Sequence, residues 1–539
     1  MSRVINSQAA IGEDSITCYN NLMSEPKKIL ICLLAILAIA SFFRLWQLNS
    51  VPPSLWPDEA VNANTAANIS DSKTFQIFYQ ENHGREGFFF LLISFAFSVL
   101  GISVWSFKLV PALAGILTVL GQYFLALELF RKKPIALLSA FFLAISFWHI
   151  NFSRIGFRAI LTPLVLTFSF YFLFRGLRTK KIQNFIISGL IFGIGFHTYI
   201  SFRLAVLILA FVLLFWFFVA AKENWRKKYL IFSTIFLLAI FITAIPIGIY
   251  FLENPQDFMS RALGVSIFGQ ESPIKEFVKS LTVHLSMFNF AGDRNLRHNL
   301  PGFPQLSPVA GIFFLAGIFW VIRRTITLLK SNRAEKLAKI GTFLFLFVWF
   351  FALILPSALT IEGIPHALRS IGVIPVVYLF TGLGAYLIYQ WGKNKWEGKK
   401  IKTAVFKAAS VLLLIAMTLS SFVMYFVVWA KNPELENAFT TRFTDVGKEL
   451  NALPVETRKY VIKNEGDLPT EVSKFIQRTA GRTDDAIYIQ PEKIGTINFT
   501  PGDFIFIMNK ELRSLDPVRE VAPMGILHEK ERIWIYEIK

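Results

Sequence analysis

Long apolar stretches separated by short polar loops run along most of the chain. Examples are LAVLILAFVLLFWFFVAA at 204–221 and FLFLFVWFFALIL at 343–355. About 20 consecutive apolar residues are enough for a helix to cross a hydrocarbon core of roughly 30 Å. The pattern therefore predicts an all-α polytopic membrane protein rather than a water-soluble one.

Eleven membrane-spanning helices are predicted from the apolar stretches. FFFLLISFAFSVLG at 88–101 is about fourteen residues long, which is short for a span and typical of an interfacial or re-entrant segment. We therefore predict that it does not cross. The predicted spans are 29–48, 105–130, 135–150, 159–176, 184–200, 203–221, 229–252, 308–322, 340–358, 371–391 and 404–429.

The last part of the chain has a different pattern. Residues 431–539 are polar, and short alternating stretches such as KYVIK and DFIFIM are separated by helical patterns such as TEVSKFIQRTAG. Strands that alternate with helices indicate a small α/β domain. We predict three parts: a cytoplasmic tail at 1–27, a transmembrane domain at 28–430, and a soluble extracytoplasmic domain at 431–539.

The positions of lysine and arginine predict how the helices are oriented in the membrane. The net charge is +19, and lysine and arginine collect in cytoplasmic loops of membrane proteins. Placing the basic clusters in the cytoplasm leaves 49–104 and 253–307 as the long outer loops. The charge is thus explained without nucleic acid, and we predict a multi-pass protein of the plasma (inner) membrane. Cys18 and Cys32 do not indicate a disulfide framework.

Two acidic residues follow the first span directly. In SLWPDEAVNANTAANI, Pro57 suits the first turn of a helix, and Asp58 and Glu59 lie at its positive end. That position favours ionised carboxylates, one of which can take a proton from an acceptor as a general base. The alternative is ordinary acidic charge at the N-terminus of a helix, which is common in proteins.

Arginine, histidine and tyrosine recur on the predicted outer loops, against the usual distribution of positive charge. Arginine suits bidentate contacts with phosphate, so an anion at the outer surface explains the exceptions. Each residue alone is also consistent with an anchor at the lipid headgroups. The candidate substrate-binding residues are Arg85, Glu86, Arg154, Arg158, His197, Tyr199, Arg203, His298, His366 and Arg369. His83, His298 and Glu86 do not show the spacing of metal ligands, so we predict no metal site.

Several motifs together resemble the GT-C superfamily of polytopic glycosyltransferases. They are RLWQL at the end of the first span, P-x-x-L-W-x-D-E at 52–59, GREG at 84–87, SRIGFR at 153–158 and PHALRS at 365–370. The sequence is most similar to the bacterial family 39 type, relatives of protein O-mannosyltransferases and of the lipid A aminoarabinose transferase. The resemblance covers roughly residues 29–430.

The resemblance implies transfer of a sugar from a polyprenyl-phosphate donor to a lipid, glycan or protein, with inversion at the anomeric carbon. Asp58 corresponds to the family's catalytic aspartate, and Glu59 is its companion. Arg85, next to Glu86, stands where aminoarabinose transferases have a lysine, and Thr162 stands where they have a second acid. No cofactor is implied, because the lipid-linked sugar is a substrate.

Two other classes of function are open at this point. A transporter or flippase of an anionic or lipid-linked solute usually has ionisable residues at the membrane midplane, whereas here they lie at predicted helix ends. That placement favours chemistry at the surface. A scaffold whose C-terminal domain binds a partner is the second alternative, and it predicts that Asp58→Asn changes nothing.

Overall fold

The computed structural model describes residues 26–330, 336–463, 467–482, 485–508, 510 and 512–539. Most of the predicted cytoplasmic tail, including Cys18, lies outside these ranges. In chain order the α-helices are α1 (Pro26–Leu45), α2 (Pro57–Ser72), α3 (Phe88–Leu100), α4 (Val104–Phe130), α5 (Lys133–Ala144), α6 (Phe147–Phe152), α7 (Leu161–Thr179), α8 (Ile182–Gly195), α9 (Ala205–Lys222), α10 (Arg226–Glu253), α11 (Pro255–Gly264), α12 (Pro273–Ser286), α13 (Pro308–Leu329), α14 (Lys336–Ala358), α15 (Ile374–Lys395), α16 (Lys400–Phe422), α17 (Leu435–Ala438), α18 (Thr441–Ala452), α19 (Thr470–Thr479) and α20 (Leu512–Val521).

Among the described residues, nine helices are long and apolar enough to cross a membrane: α1, α4, α7, α9, α10, α13, α14, α15 and α16. The predicted fold class, a polytopic helical membrane protein, is confirmed. The count of eleven spans is not: the segments predicted at 135–150 and 184–200 form the shorter helices α5 and α8. Both pack between longer helices, α5 on α4 and α15, and α8 on α7 and α10.

Small residues allow the helices of the bundle to approach closely. A Cβ atom on Gly384 of α15 would lie 1.8 Å from the backbone oxygen of Phe313, and one on Gly317 of α13 would lie 2.1 Å from that of Phe380. Helices in membranes pack tightly through such positions, because lipid supplies little hydrophobic drive for their association. The backbones of α13 and α15 are therefore in direct contact at these positions.

The C-terminal region contains a five-stranded sheet, in agreement with the predicted α/β pattern. Its strands are β3 (Lys459–Ile462), β4 (Ala486–Ile489), β5 (Phe504–Met508), β6 (Gly525–Glu529) and β7 (Ile533–Ile538), and β1 (Phe78–Tyr79) and β2 (Arg85–Glu86) form a hairpin in the first loop. The sheet order is β4-β3-β5-β7-β6, with β3 parallel to β4 and β5, and β7 antiparallel to β5 and β6. The sequence patterns predicted β3, β4, β5 and β7, but not β6 or the hairpin of β1 and β2.

The sheet domain packs on the first outer loop. Phe475 of α19 lies between two phenylalanines of the membrane domain, with ring centroids 6.1 Å from Phe97 and 6.0 Å from Phe107. The side-chain amide of Asn64 on α2 donates to the backbone and side-chain oxygens of Glu471, both at 2.9 Å. The C-terminal domain therefore supports the helix that begins beside Asp58.

Candidate active site

All five of the predicted outer segments that carry polar motifs meet around one cavity of about 240 Å³. The segments are the first loop, 151–158, 197–203, the long loop 253–307, and 360–370. Seven of the predicted site residues line it: Asp58, Arg85, Arg158, Tyr199, His298, His366 and Arg369. Six polar residues outside the predicted set also line it: Asn62, Asn82, Asp293, Asn295, Arg297 and Glu362.

Asp58 lies in the first turn of α2 with its carboxylate held from both sides. Oδ1 accepts a hydrogen bond of 2.8 Å from the side-chain amide of Asn82, and Oδ2 accepts one of 3.3 Å from the Trp56 indole. Pro57 fixes the start of the helix, because its missing N–H is not needed there. The side chain is half-buried and therefore reachable from the cavity.

Glu59 occupies a different environment, although it is the next residue. It is fully buried behind the cavity wall, and its oxygens accept from the backbone N–H groups of Trp56 at 3.0 Å and Gly156 at 2.6 Å. Burial raises the pKa of Glu59, and the nearby Lys108 ammonium opposes that shift. These contacts tie α2 to the 153–158 turn and place the Glu59 carboxylate away from the residues that line the cavity. A catalytic role for Glu59 stays a prediction.

Arg85 forms one wall of the cavity. Its NH1 donates to Asn62 Oδ1 at 3.1 Å and to Thr65 Oγ1 at 3.2 Å, and its NH2 pairs with Glu81 at 3.2 Å. Burial, together with repulsion from Arg158, lowers the pKa of Arg85 to about 10. The guanidinium is therefore still charged at neutral pH, in a fixed orientation.

Arg158 is oriented by a buried carboxylate. Its Nε lies 2.6 Å from Glu86 Oε2 and its NH2 donates to the Gly84 oxygen at 3.0 Å, while its guanidinium lies over the Tyr199 ring at 5.4 Å. Glu86 is 2 % exposed and also faces Arg203 at 3.9 Å. Glu86 and Arg203 do not line the cavity, and Glu86 orients Arg158 through this ion pair. Substrate binding by Glu86 and Arg203 stays a prediction.

Arg297 was missed among the predicted site residues and lines the same cavity as Asp58. Its guanidinium stacks on the Trp56 ring at 3.6 Å, and its Nε donates to Asn295 Oδ1 at 3.2 Å. Burial lowers the pKa of Arg297, and the Asp58 carboxylate opposes that shift. The signal available in the sequence was its place in the same turn-rich stretch as His298, which follows it.

Arg369 is fixed within its own loop. Its NH1 donates to Thr360 Oγ1 at 2.8 Å, and its NH2 pairs with Glu362 at 2.6 Å. The Glu362 side chain is 66 % exposed, so a substrate anion can compete with it for Arg369. With Arg85, Arg158 and Arg297, this residue makes four guanidinium groups around the cavity.

A cluster of Asp293, His298 and His366 brings together atoms that are able to bind a metal, all within 4.8 Å of one another. Asp293 Oδ2 is already engaged, since it lies 3.0 Å from His298 Nδ1 and accepts from the Ala367 N–H at 2.8 Å. These contacts account for the cluster as a tie between two loops. That the site works without a metal stays a prediction.

Two predicted site residues lie away from the cavity. Arg154 donates to backbone oxygens near the end of α1, at 2.9 Å to both Phe43 and Gln47. His197 Nε2 lies 2.8 Å from the backbone oxygen of Thr243 on α10. Both side chains bind the backbone of neighbouring segments, and substrate binding by either stays a prediction.

Comparisons with known proteins point to one class. A family profile for dolichyl-phosphate-mannose-protein mannosyltransferase matches residues 88–248. YkcB, a candidate mannosyltransferase of Bacillus subtilis (strain 168), is 28 % identical over 228 residues, which are 40 % of this chain and 30 % of that relative. The matched region thus spans less than a third of the length of YkcB.

Two solved structures are similar in fold to this chain over nearly its whole length. ArnT from Cupriavidus metallidurans bound to undecaprenyl phosphate matches with a TM-score of 0.55 and 13 % identity, covering 94 % of this chain and 97 % of that one. The Archaeoglobus fulgidus oligosaccharyltransferase matches with a TM-score of 0.53 and 14 % identity, covering 94 % and 73 %. The fold is that of the GT-C glycosyltransferases. The predicted resemblance to family 39 is confirmed as a similarity of fold and of part of the sequence.

Proposed function

We propose that this protein moves a sugar from a polyprenyl-phosphate donor to a lipid, glycan or protein acceptor, with inversion, at the extracytoplasmic face of the plasma (inner) membrane. The proposal rests on one observation: Asp58 shares a cavity of about 240 Å³ with four arginines. A proton acceptor facing fixed cations suits a reaction that forms a bond to an acceptor and releases an anion.

The proposed reaction is a single displacement. The acceptor oxygen or nitrogen attacks the anomeric carbon while Asp58 takes its proton, and the bond from that carbon to the phosphate oxygen breaks. The polyprenyl phosphate leaves with the electron pair, and attack from the opposite face inverts the anomeric centre. Asn82 and Trp56 hold the Asp58 carboxylate in position for the proton transfer.

The negative charge that develops on the leaving phosphate needs fixed donors. Arg85 and Arg158 are held by protein acceptors and supply a positive field. Within the described residues, the hydrogen bond from the Arg297 side chain to protein starts at Nε, so its terminal nitrogens are suited to the phosphate. Undecaprenyl phosphate in the ArnT structure is a molecule of the class expected as leaving group, which supports this assignment.

We also propose that the reaction needs no cofactor. The donor brings its own activated bond, and its isoprenoid tail explains the membrane location. Transport or flipping of a lipid-linked solute is the alternative. It receives less support because the cavity lies where the outer segments meet, and because general acid–base geometry is already present around Asp58.

The donor class is tested with purified protein in liposomes of its own host lipids. Radiolabelled polyprenyl-phosphate sugars and the matching nucleotide sugars are supplied in parallel, and label on the acceptor fraction is measured. We expect label to move from the polyprenyl-phosphate donors only. Label that moves only from nucleotide sugars, or intact donor that crosses the bilayer without any transfer, contradicts the proposal.

The proposed orientation is tested by cysteine labelling in a background where Cys18 and Cys32 are replaced by serine. Cysteine at Ser50 or Ser103 should react with an impermeant maleimide added outside intact cells, and cysteine at Glu223 should react only after permeabilisation. Reaction of Ser103→Cys only from the cytoplasm would place the first loop on the wrong side.

A further inference from the structure

A second cavity, also of about 240 Å³, lies on the other side of the long outer loop. Asp293, Asn295, Arg297 and His298 line the candidate active site, whereas the residues that follow them, Asn299, Leu300 and 303–308, line the second cavity. The end of α5, the first turns of α13 and α15, and the last turns of α16 complete its walls. The proposed reaction does not use this cavity.

The walls combine apolar and uncharged polar groups. Phe142, Phe147, Phe303 and Met417 supply apolar surface, and none of the described residues that line the cavity carries a charge. The active-site cavity, by contrast, is lined by four arginines. This second cavity therefore suits an uncharged amphiphile and disfavours a phospholipid headgroup, whose charge would be buried without a partner.

Gln305 is the feature that indicates a ligand. It is 4 % exposed and lines the cavity, and within the described residues both its Nε2 and its Oε1 are buried without a hydrogen-bond partner. Buried polar atoms are almost always satisfied, because leaving one unpaired costs about 1–3 kcal/mol. A carboxamide offers a donor and an acceptor together, which matches the hydroxyl and ester groups of a neutral lipid.

One wall of the cavity is an apolar helix that the rest of the protein covers only in small part. α16 forms one of its walls, and only 17 % of the most apolar window of this span is buried in the protein. Ser420 and Ser421 lie on the side of α16 that faces the cavity, and Ser420 is exposed. The volume exceeds that of an apolar cavity of roughly 150 Å³ that takes up benzene in another protein, so part of a lipid fits.

We propose that this cavity binds an uncharged acyl lipid, with the hydroxyl or ester region at Gln305 and an acyl chain against the phenylalanines and Met417. A lipid of this class could have either of two roles: it could accept the sugar, or it could stay bound as a structural lipid. The binding itself does not depend on the proposed transfer reaction; only the acceptor role does.

The loop couples the two cavities. Asn299 donates to the backbone oxygen of Asp293 at 3.2 Å, and the Trp429 indole donates to that of Leu296 at 2.8 Å. Asn151 donates to the backbone oxygen of Arg297 at 2.6 Å. A lipid against residues 299–308 thus lies next to the segment that carries Arg297.

The test measures binding of 1,2-dioleoylglycerol to the purified full chain in detergent, by native mass spectrometry, with dioleoyl phosphatidic acid as the charged probe of equal chain length. We expect wild type to bind dioleoylglycerol and to bind phosphatidic acid at least tenfold more weakly. Gln305→Leu should weaken dioleoylglycerol about tenfold through the lost hydrogen bonds. Ser421→Trp should fill the cavity and abolish binding, and Leu419→Trp, on the lipid face of the same helix, should bind like wild type.

Melting temperatures measured without added lipid distinguish lost binding from lost folding. Because Gln305→Leu removes unpaired buried polar atoms, this variant should not melt at a lower temperature than wild type. Equal binding of both probes, no binding by wild type, or unchanged binding by Ser421→Trp would overturn the proposal. A second arm supplies the radiolabelled donor: sugar on dioleoylglycerol identifies an acceptor, and binding without labelled lipid product identifies a structural lipid.

Discussion

At the level of single residues, the two neighbouring carboxylates on α2 differ in what surrounds them. Asp58 is half-buried and faces the cavity between Asn82 and Trp56. Glu59 is fully buried and accepts backbone N–H groups of two separate segments. Successive residues on a helix point about 100° apart. The Asp58 carboxylate therefore faces the cavity, whereas the Glu59 carboxylate points into the protein interior.

Glu59→Gln should therefore destabilise the protein without removing the chemistry. The amide presents a donor to one of the N–H groups at Trp56 or Gly156, and an unpaired buried group costs about 1–3 kcal/mol. We expect a lower melting temperature in detergent and near-normal turnover per folded molecule. Turnover lost as completely as in Asp58→Asn, at an unchanged melting temperature, would show that Glu59 is catalytic.

Arg297 gives a second residue-scale prediction. Arg297→Gln removes the guanidinium stacked on Trp56 and should weaken donor binding roughly ten- to hundredfold, as expected for charge-assisted hydrogen bonds. Arg294→Gln, three residues earlier in the same loop and exposed, is the matched control. The KM for the donor is measured for both variants. Equal KM values would show that Arg297 does not bind the donor phosphate.

The sequence located the site better than it assigned individual roles. Asp58, Arg158 and His366 were identifiable because they are polar residues at the ends of apolar segments, on loops predicted to share one face. Arg154 and His197 satisfied the same rule but turn towards backbone oxygens. The direction of a side chain within a turn depends on tertiary packing, which spacing alone does not contain.

At the level of elements, α12 connects the long loop 253–307 to the 360–369 loop, which lines the candidate active site. His284, near its end, is buried; its Nδ1 donates to the Ser280 oxygen at 2.8 Å, and its Nε2 accepts from the His366 N–H at 3.1 Å. The ring is thus a neutral imidazole that holds the 360–369 loop. Burial lowers the pKa of His284, repulsion from Arg369 adds to this, and Asp293 opposes it.

This arrangement predicts acid sensitivity. The folded state disfavours the protonated ring, so the stabilisation from His284 is fully present above the unfolded pKa near 6.5 and is lost as pH falls below it. We expect the melting temperature of wild type to fall between pH 7.5 and 5.5, and His284→Gln to show a smaller fall. Parallel curves for both proteins would exclude His284 as the cause.

The number of spans was the weakest element-scale prediction. α5 and α8 have 12 and 14 residues, fewer than the roughly 20 of a full span. Both pack against longer helices, α5 on α4 and α15, and α8 on α7 and α10. The predicted segments, 135–150 and 184–200, run past the ends of these helices at Ala144 and Gly195, so apolar composition did not mark where each helix ends.

At the level of the whole molecule, the C-terminal domain supports the helix that begins beside Asp58. Asn64 joins α2 to Glu471, and the backbone oxygen of Asn64 accepts from Arg478 at 3.3 Å. Phe475 fills the contact with the membrane domain. The sequence predicted four of the five strands of this sheet, but not the surface on which the sheet packs, since long-range contacts leave no local pattern.

Phe475→Ala should loosen that contact. A buried phenylalanine truncated to alanine costs about 3–5 kcal/mol, so we expect faster proteolysis of residues 431–539 and lower transfer activity, although the cavity is untouched. Ile487→Ala, on an edge strand of the same domain and 49 % exposed, is the control and should behave like wild type. Unchanged proteolysis of Phe475→Ala would contradict the supporting role.

The most direct measurement compares Asp58→Asn with Asp71→Asn in transfer from a radiolabelled polyprenyl-phosphate sugar. Both substitutions remove one carboxylate from α2, but Asp71 is exposed at the far end of the helix. We predict that Asp58→Asn lowers turnover about 10²–10⁴-fold while donor binding and melting temperature stay near wild type, and that Asp71→Asn has no effect. Wild-type turnover in folded Asp58→Asn would contradict the proposed base.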